Sequence, residues 1–591
     1  MGARIPLWRL KMQVKLAKTA GFCMGVRRAM GRVLEAAAKS GGRLVTYGPL
    51  IHNSQVTLLL EERNVAVVES PEQIRPGDRV AIRAHGVPPE TRDAIRCRGA
   101  SICDATCPHV ARAQGLVKKA AGEGRDVIIV GDRGHAEVVG LLGFARGRGH
   151  VVESVDDVDH LPALDRVAVV AQTTQSEALF KAVEERVCSR FRDCEVHSTI
   201  CGSTSDRQRE TAELAAEVNV MVVVGGRHSA NTLRLVQIAG ATGRPTIHVE
   251  SSEELREDTF RDYAVAGVTA GASTPNWVIE EVVMRLEGLH TARTHPILHR
   301  AIGAVDFFVR AGFLLAIGAG GLAYAAAAML DRPFRALHFI IPVAYVFSMM
   351  NWNIHAELRA GEMVDRARAL IFRRHGRLLT FLAAVLAPIS LGLASLLGLE
   401  ALFVLTLSSI LGILYTIPVF PERLGLRYRR LKDLPGSRNL LFAGAIGVVT
   451  VILPLLDRAA PALAHPVPGI GVPLLLSFAI AFARSVVLDV KDLQSDVFAG
   501  RETIPVLIGK GGTKILLAAV LILAAAAIVS GALLGGVNPR ALWQIPTICT
   551  ICGILFLYHL RLIAYGILFH FILDATFLLA ALATLVGKVI A

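Results

Sequence analysis

None of the seven cysteines that precede residue 202 stands in a CxxC pair, so spacing alone does not mark a metal centre in the first half of the chain. The first dozen residues, broken by Arg4, Arg9 and Lys11, lack the apolar run of a secretory signal peptide. The first half is therefore expected to stay in the cytosol. Thiols there are kept reduced, which argues for metal binding or catalysis more than for disulfides. A third lack bears on the net charge of +13. No basic groove interleaved with aromatics is visible, and the basic residues crowd between apolar runs, as in Arg359 to Arg377 and Arg423 to Arg438. That pattern argues against nucleic acid as a partner and for membrane topology signals.

The apolar content is high: 53% of 591 residues are hydrophobic, too apolar for an ordinary soluble enzyme and too long for one core. It is also uneven. Charges recur every few residues up to about Leu298, whereas charge-free runs such as Leu378 to Leu399 and Ile515 to Asn538 follow. The expected division is an N-terminal extension (1–12), a first domain (13–290), a linker (291–302) overlapping LHTARTHPILHR, and a polytopic membrane domain (303–591). In the first domain, short β-rich runs such as DVIIVGDRG, RVAVVAQTT and VMVVVGGRH end in Gly, His or Thr and alternate with helical stretches. This is the pattern of parallel α/β layers, which bind ligands beyond the carboxyl ends of their strands. The second domain has about nine spans, near 303–330, 334–351, 378–398, 400–420, 439–457, 467–484, 514–537, 541–558 and 563–588. With the first domain cytosolic, nine spans put the Arg/Lys-rich loops on the cytosolic side, in agreement with the positive-inside rule.

Three cysteines share a setting. Cys23 in AGFCMGV, Cys107 in CDATCPHV and Cys201 in STICGSTSDRQ lie roughly one hundred residues apart beside small or turn-forming residues. One thiolate from each of three α/β units could hold a cubane 4Fe-4S cluster, leaving one iron without a protein ligand as a Lewis acid. The bland alternative is that free cysteines are small buried hydrophobes. The surrounding motifs GFCMGVRRAM, YGPLIHNSQV, RAHGVPPETR, DATCPHV, GHAEVVG, AQTTQS, ICGSTSDRQ, HSAN and GVTAGASTPNWVI closely resemble, in order, 4-hydroxy-3-methylbut-2-enyl diphosphate reductase, the iron–sulfur enzyme that ends the non-mevalonate isoprenoid pathway.

The resemblance implies an α/β three-lobed trefoil around a 4Fe-4S cluster on Cys23, Cys107 and Cys201, and an isoprenoid diphosphate substrate that loses an allylic hydroxyl. It gives Glu137 the role of proton delivery, close to Thr173 and Thr174. It places His52, His85, His135, Ser229, Asn231 and Ser273 around the diphosphate. It also implies a low-potential electron donor such as ferredoxin or flavodoxin. Cys97, Cys103, Cys188 and Cys194 match no ligand of that family. One departure concerns HSAN, where Ala230 stands in place of a second serine, so that one phosphate donor is missing.

In the membrane half, Asp489, Asp492 and Asp496 in LDVKDLQSDVFAGRETIPVLIG would share one face of a continuous helix and are candidate Mg²⁺ ligands for a diphosphate. The alternative is a solvated loop helix. The run resembles the second aspartate motif of the UbiA superfamily of intramembrane prenyltransferases, with Tyr415 and Lys432 in family-like surroundings. That family's first motif should follow the second span. Started on Asn351, it meets Trp352, His355 and Arg359 where acids belong; started on Asn353, it meets Ile354, Glu357 and Gly361. Three readings of the whole chain follow: a reductase fused to a prenyltransferase, a reductase on a catalytically silent membrane anchor, or a non-enzymatic iron–sulfur sensor. All three expect a multi-pass protein of the inner (cytoplasmic) membrane, in contact with the lipid bilayer, whose first domain lies in the cytoplasm. The expected fold is thus the α/β trefoil followed by an all-α membrane domain of about nine transmembrane helices.

Overall fold

Runs of β-branched residues too apolar to leave either face in water make the central strands of the first half. Val220–Val224 (VMVVV) is buried throughout, and Asp126–Val130 and Arg166–Ala171 are buried beyond their first residue. Such strands suit parallel sheets covered on both sides. The computed structural model describes residues 12–38, 42–294, 296–359, 366–417, 419, 430–461, 467–493, 496–497, 501–559 and 567–590. The expected extension at 1–12 lies outside the described residues except for Met12, which is buried in the core of the first half.

The first half holds three four-stranded sheets, and every strand pair is parallel. Across the first run Ala66–Val68, Leu44–Tyr47, Arg79–Ile82 and Ser101–Asp104. Across the second run Gly149–Val152, Asp126–Val130, Arg166–Ala171 and Asp193–His197. Across the third run Thr246–Val249, Val220–Val224, Val265–Ala270 and Gln13–Leu16. The three orders are the same. In each sheet the strand that comes first in the unit lies second, and the fourth strand takes an edge. In the third sheet that edge is supplied by the N-terminal segment, which pairs with Val265–Ala270 in register from Gln13↔Val265 to Leu16↔Val268. Three equivalent units thus offer three equivalent sets of strand ends.

Cys188 and Cys194 are joined in a disulfide, a correction to the expectation of reduced thiols. The helix Glu177–Arg190 and the strand Asp193–His197 are separated by only two residues, which brings the two Cα atoms to 5.4 Å, within disulfide reach.

The chain divides into compact units that end at His299 and begin at Arg300. The expected linker is helical where described, in Asn276–Thr294 and Pro296–Arg310. The second unit is all helical. Seven of its described helices are long and apolar enough to cross a membrane, and Arg300–Arg310 with Phe313–Met329, bent by 59°, makes up to eight. The bend falls at Gly312, whose φ of +86° and closeness to Met350 exclude a side chain. Each of the nine expected spans coincides with a helix. The fourth, however, is Leu399–Leu414, and its 16 residues reach only ~24 Å, short of a full bilayer core. Polar residues lengthen two others beyond their apolar runs: Ala336–Arg359 and Arg366–Ser395 take in much of the expected loop at 352–377. Leu378, Phe381 and Ile389 remain exposed on Arg366–Ser395, as side chains facing lipid would be.

Candidate functional site

The fourth strand of each unit leads to a cysteine. Ser101–Asp104 is followed by Cys107, Asp193–His197 by Cys201 and Gln13–Leu16 by Cys23. Each thiol then stands at the start of a long helix: Cys107 is the N-cap of Pro108–Gly122, Cys201 the N-cap of Gly202–Glu217, and Cys23 directly precedes Met24–Ala38. Each sulfur accepts from the backbone just ahead of it, Cys23 from Val26, Cys107 from His109 and Val110, and Cys201 from Ser203 and Thr204. Helix N-termini favour negative charge, so the fold places three thiols where thiolates are stabilised. At Cys107 and Cys201 burial outweighs these backbone bonds and raises both thiols above their ordinary range. A cationic group arriving among them therefore completes the balance.

Gly25 shows how closely the lobes approach. A Cβ there would lie 2.5 Å from the sulfur of Cys107 and 3.8 Å from that of Cys23. Only hydrogen fits between them.

The third strand of each unit delivers His85, Thr173 with Thr174, and Ser273; the first delivers His52, His135 and Ser229. All twelve residues expected in this half, Cys23, Cys107, Cys201, Glu137, Thr173, Thr174, His52, His85, His135, Ser229, Asn231 and Ser273, line one cavity of about 100 Å³. Within it, Glu137 is 1% exposed. Its Oε1 accepts from the Thr173 amide at 2.6 Å and its Oε2 from the Thr173 hydroxyl at 2.9 Å. Burial pushes this carboxyl up to about 7, against the pull of the two Thr173 bonds. It can hold or give up a proton near neutrality.

The imidazoles of His52, His85 and His135 gather with ring centroids 4.9 to 6.1 Å apart, and each offers a nitrogen within 4.8 Å of the others. Burial lowers all three pKa values, that of His135 to about 4. They are neutral polar groups awaiting a charged partner. Nδ1 of His85 and both amide atoms of the buried Asn231 have no hydrogen-bond partner within the protein. Buried polar groups are seldom left so, and together these mark where a ligand's oxygens belong. Ser273 donates to Ser229 at 3.2 Å, and Ser229 in turn caps the helix Ala230–Ala241.

Sequence reasoning passed over two members of the site. Arg207, 2% exposed, donates to the carbonyl of Ala270 and feels the charges of Cys23 and Cys201. Burial lowers it to about 10, and it remains a cation beside the thiols. It stands in the second turn of the helix Gly202–Glu217, between Asp206 and Gln208, where its neighbours make it look like any solvated arginine. Gln172, fully buried, donates to Thr174 and accepts from the Asp132 amide, so it fixes the strand end that carries Thr173.

In the second half, the helix that carries Asp489 ends at Lys491, and Asp492 is its C-cap. Beyond it the helical bonding pattern recurs, with the Asp492 amide donating to Leu488 at 2.9 Å and the Asp496 amide to Asp492 at 2.8 Å. Among the described residues of this half, no three carboxylates or imidazoles converge within metal-binding distance. Asp489 and Asp496 are nonetheless buried, at 1% and 0% exposure, and each faces an arginine.

Comparison with known proteins divides the chain in the same way. The LytB protein family matches residues 14–287 and the UbiA prenyltransferase family residues 313–567. The reductase of Aquifex aeolicus named 4-hydroxy-3-methylbut-2-enyl diphosphate reductase is 41% identical over 280 residues, 47% of this chain and 96% of that one. A solved structure of (E)-4-hydroxy-3-methyl-but-2-enyl diphosphate reductase is 40% identical over 46% of this chain and 99% of its own, with a TM-score of 0.38. A UbiA homolog from Aeropyrum pernix is 18% identical over 46% of this chain and 97% of its own, with a TM-score of 0.36. The second half thus carries a UbiA prenyltransferase family domain. With nearly the whole length of such a relative covered, and its own cysteines, Glu137 and histidines gathered in one cavity, the chain belongs through its first half to the 4-hydroxy-3-methylbut-2-enyl diphosphate reductase family.

Proposed function

We propose that the first half reductively removes the hydroxyl of 4-hydroxy-3-methylbut-2-enyl diphosphate, giving isopentenyl and dimethylallyl diphosphate and water from two electrons and two protons. The observation that carries this reading is the meeting of three thiols, one from the same position in each of three units, with a buried carboxyl that titrates near neutrality. Cys23, Cys107 and Cys201 fit a 4Fe-4S cluster: they are free thiols at helix N-termini, with Arg207 as a cation beside them. When bound, the cluster supplies single electrons from a low-potential donor and a Lewis-acidic iron that carries no protein ligand.

The remaining work falls to the chain. His52, His85, His135, Asn231, Ser229 and Ser273 hold the diphosphate, whose charge would draw protons onto histidines that are neutral without it. Glu137 keeps a proton at its carboxyl for the departing hydroxyl, oriented by both bonds from Thr173. The small cavity leaves little room for bulk water. The second half is a multi-pass membrane domain that binds isoprenoid diphosphates, and the basic loops favour a cytoplasmic position for the reductase at the inner membrane.

The test is anaerobic purification of the full chain, iron and sulfide analysis, and assay with the hydroxylated diphosphate and a reduced viologen dye. Roughly four iron and four sulfide per chain, with turnover, are expected. A chain that carries no iron after anaerobic reconstitution and consumes no substrate would remove the assignment.

Asn231 gives a separable check on the diphosphate pocket. Its amide is buried without partners, so Asn231→Ala should raise KM by on the order of tenfold while the melting temperature holds or rises. A fall in melting temperature with KM unchanged would make it a structural residue.

A further inference from the structure

The acids at the aspartate run of the membrane half already have cations of their own. Asp489 Oδ2 accepts from Asn439 at 2.8 Å, and its Oδ1 lies 3.7 Å from Arg438. Asp496 Oδ1 lies 3.4 Å from Arg501, and its Oδ2, fully buried, has no hydrogen-bond partner. Glu357, the one acid that survives in the alternative register of the first motif, lies 3.5 Å from Lys432. In the other register, Asn351 spends its amide on the carbonyls of Ala311 and Phe347, and His355 pairs with Thr380.

Mg²⁺ does not fit this arrangement. It demands a near-octahedral set of oxygens, usually one or two carboxylates together with phosphate oxygens. Among the described residues each acid of the run faces a cation, Asp489 Arg438, Asp492 Lys491 at 3.8 Å and Asp496 Arg501, and an ion beside Asp496 would sit against Arg438 and Arg501, where like charges repel. The acids and cations of the site otherwise balance one another. An anion needs no metal to bind in such a place if an arginine presents a free edge, since guanidinium matches phosphate oxygens two at a time. Arg438 does so: about 40% of its side chain is exposed while one nitrogen faces Asp489.

We propose that the membrane half holds the diphosphate of an isoprenoid on Arg438, flanked by Lys432 and Arg501, without Mg²⁺, and that Asp489 and Asp496 are counter-ions of these cations and not metal ligands. This rests on the reading that the second half binds isoprenoid diphosphates. Without a metal on the leaving group, the bond between the prenyl carbon and oxygen stays unactivated. The site receives the ligand and leaves it whole.

The experiment uses the full chain in lipid nanodiscs, carrying Asn231→Ala to weaken the reductase site, with geranylgeranyl diphosphate as probe. Affinity is measured in EDTA and in excess Mg²⁺. Kd is expected to agree within about twofold between the two conditions, and R438Q to weaken binding by on the order of tenfold in both, with R438K recovering part of the loss. Melting temperatures of the variants check their folding, and R438K keeps the test open if R438Q does not fold. Binding seen only with Mg²⁺ and lost in D489N would overturn the metal-free site while keeping the prenyl-binding reading. No binding in either condition would overturn both. Metal-free binding unchanged in R438Q and R438K alike would overturn the role of Arg438.

Discussion

Cys107→Ser should yield a folded chain without an intact cluster and without measurable turnover, and Cys23→Ser and Cys201→Ser should do the same. A serine hydroxyl keeps the geometry of the helix N-cap but does not ionise near neutrality, so the ligand is lost although the backbone is not. The remaining two thiols come from other units and cannot replace it. Far-UV circular dichroism should match the parent, while iron content and visible absorption fall away. Cys97→Ser is the control: Cys97 is exposed and free and lies outside the cavity, and its loss should leave iron content unchanged. Gly25→Ala should resemble the ligand variants more than the control, because its Cβ would sit 2.5 Å from the Cys107 sulfur. If all three serine variants keep full iron, the thiols are not the ligands.

Much of this site can be read from the chain because each member follows a strand. Apolar runs that end abruptly in Cys, His, Thr or Ser mark the carboxyl ends of parallel strands, and the ligand face of such sheets lies there. The closing of the third sheet by Gln13–Leu16 is a different matter. Four residues with two lysine- and glutamine-bearing positions look like any exposed segment, and only pairing with Val265–Ala270, some 250 residues away, makes them a strand. Arg207 was hidden for a related reason: a buried cation looks like a surface one until the charges that justify it are seen to come from Cys23 and Cys201. The disulfide between Cys188 and Cys194 depended on a turn of two residues whose geometry composition does not encode.

The membrane half shows the opposite balance. Hydropathy put an apolar run on a helix in each of nine places, but among the described residues seven helices, or eight with the bent pair, are long enough to span a bilayer. It misplaced their ends, since Ala336–Arg359 continues for eight residues past the expected limit at 351 on polar side chains that are invisible to a hydropathy window. At the aspartate run the helix Gly471–Lys491 ends before Asp492, yet the amides of Asp492 and Asp496 still donate four residues back, to Leu488 and Asp492. Charge patterning along a segment says nothing of cations brought by another helix, and Arg438, which faces Asp489, lies about fifty residues earlier.

Glu137→Gln should keep the cluster and lose turnover by on the order of a hundredfold or more, the usual weight of a positioned proton donor. The amide preserves size and can still accept from the Thr173 backbone through its oxygen, so iron content and visible absorption should match the parent. It carries no transferable proton. The carboxyl has its pKa raised in the folded protein to about 7 because burial penalises the charged form more than the Thr173 bonds favour it. As an acid it is therefore loaded below about pH 7 and spent above it, so kcat in the parent should fall as pH rises through that value. The same shift touches stability with a fixed sign. A carboxyl raised from 4.5 is tolerated best when protonated, so its burial contributes fully below pH 4.5 and that contribution is lost as pH rises through 7. Glutamine removes both effects: the residual rate should lose the alkaline limb assigned to residue 137, and the melting temperature of the variant should gain on the parent above pH 7. Activity within a few-fold of the parent would take Glu137 out of the mechanism; a large loss with the alkaline limb intact would make it a positioning residue for Thr173, with the proton coming from another group.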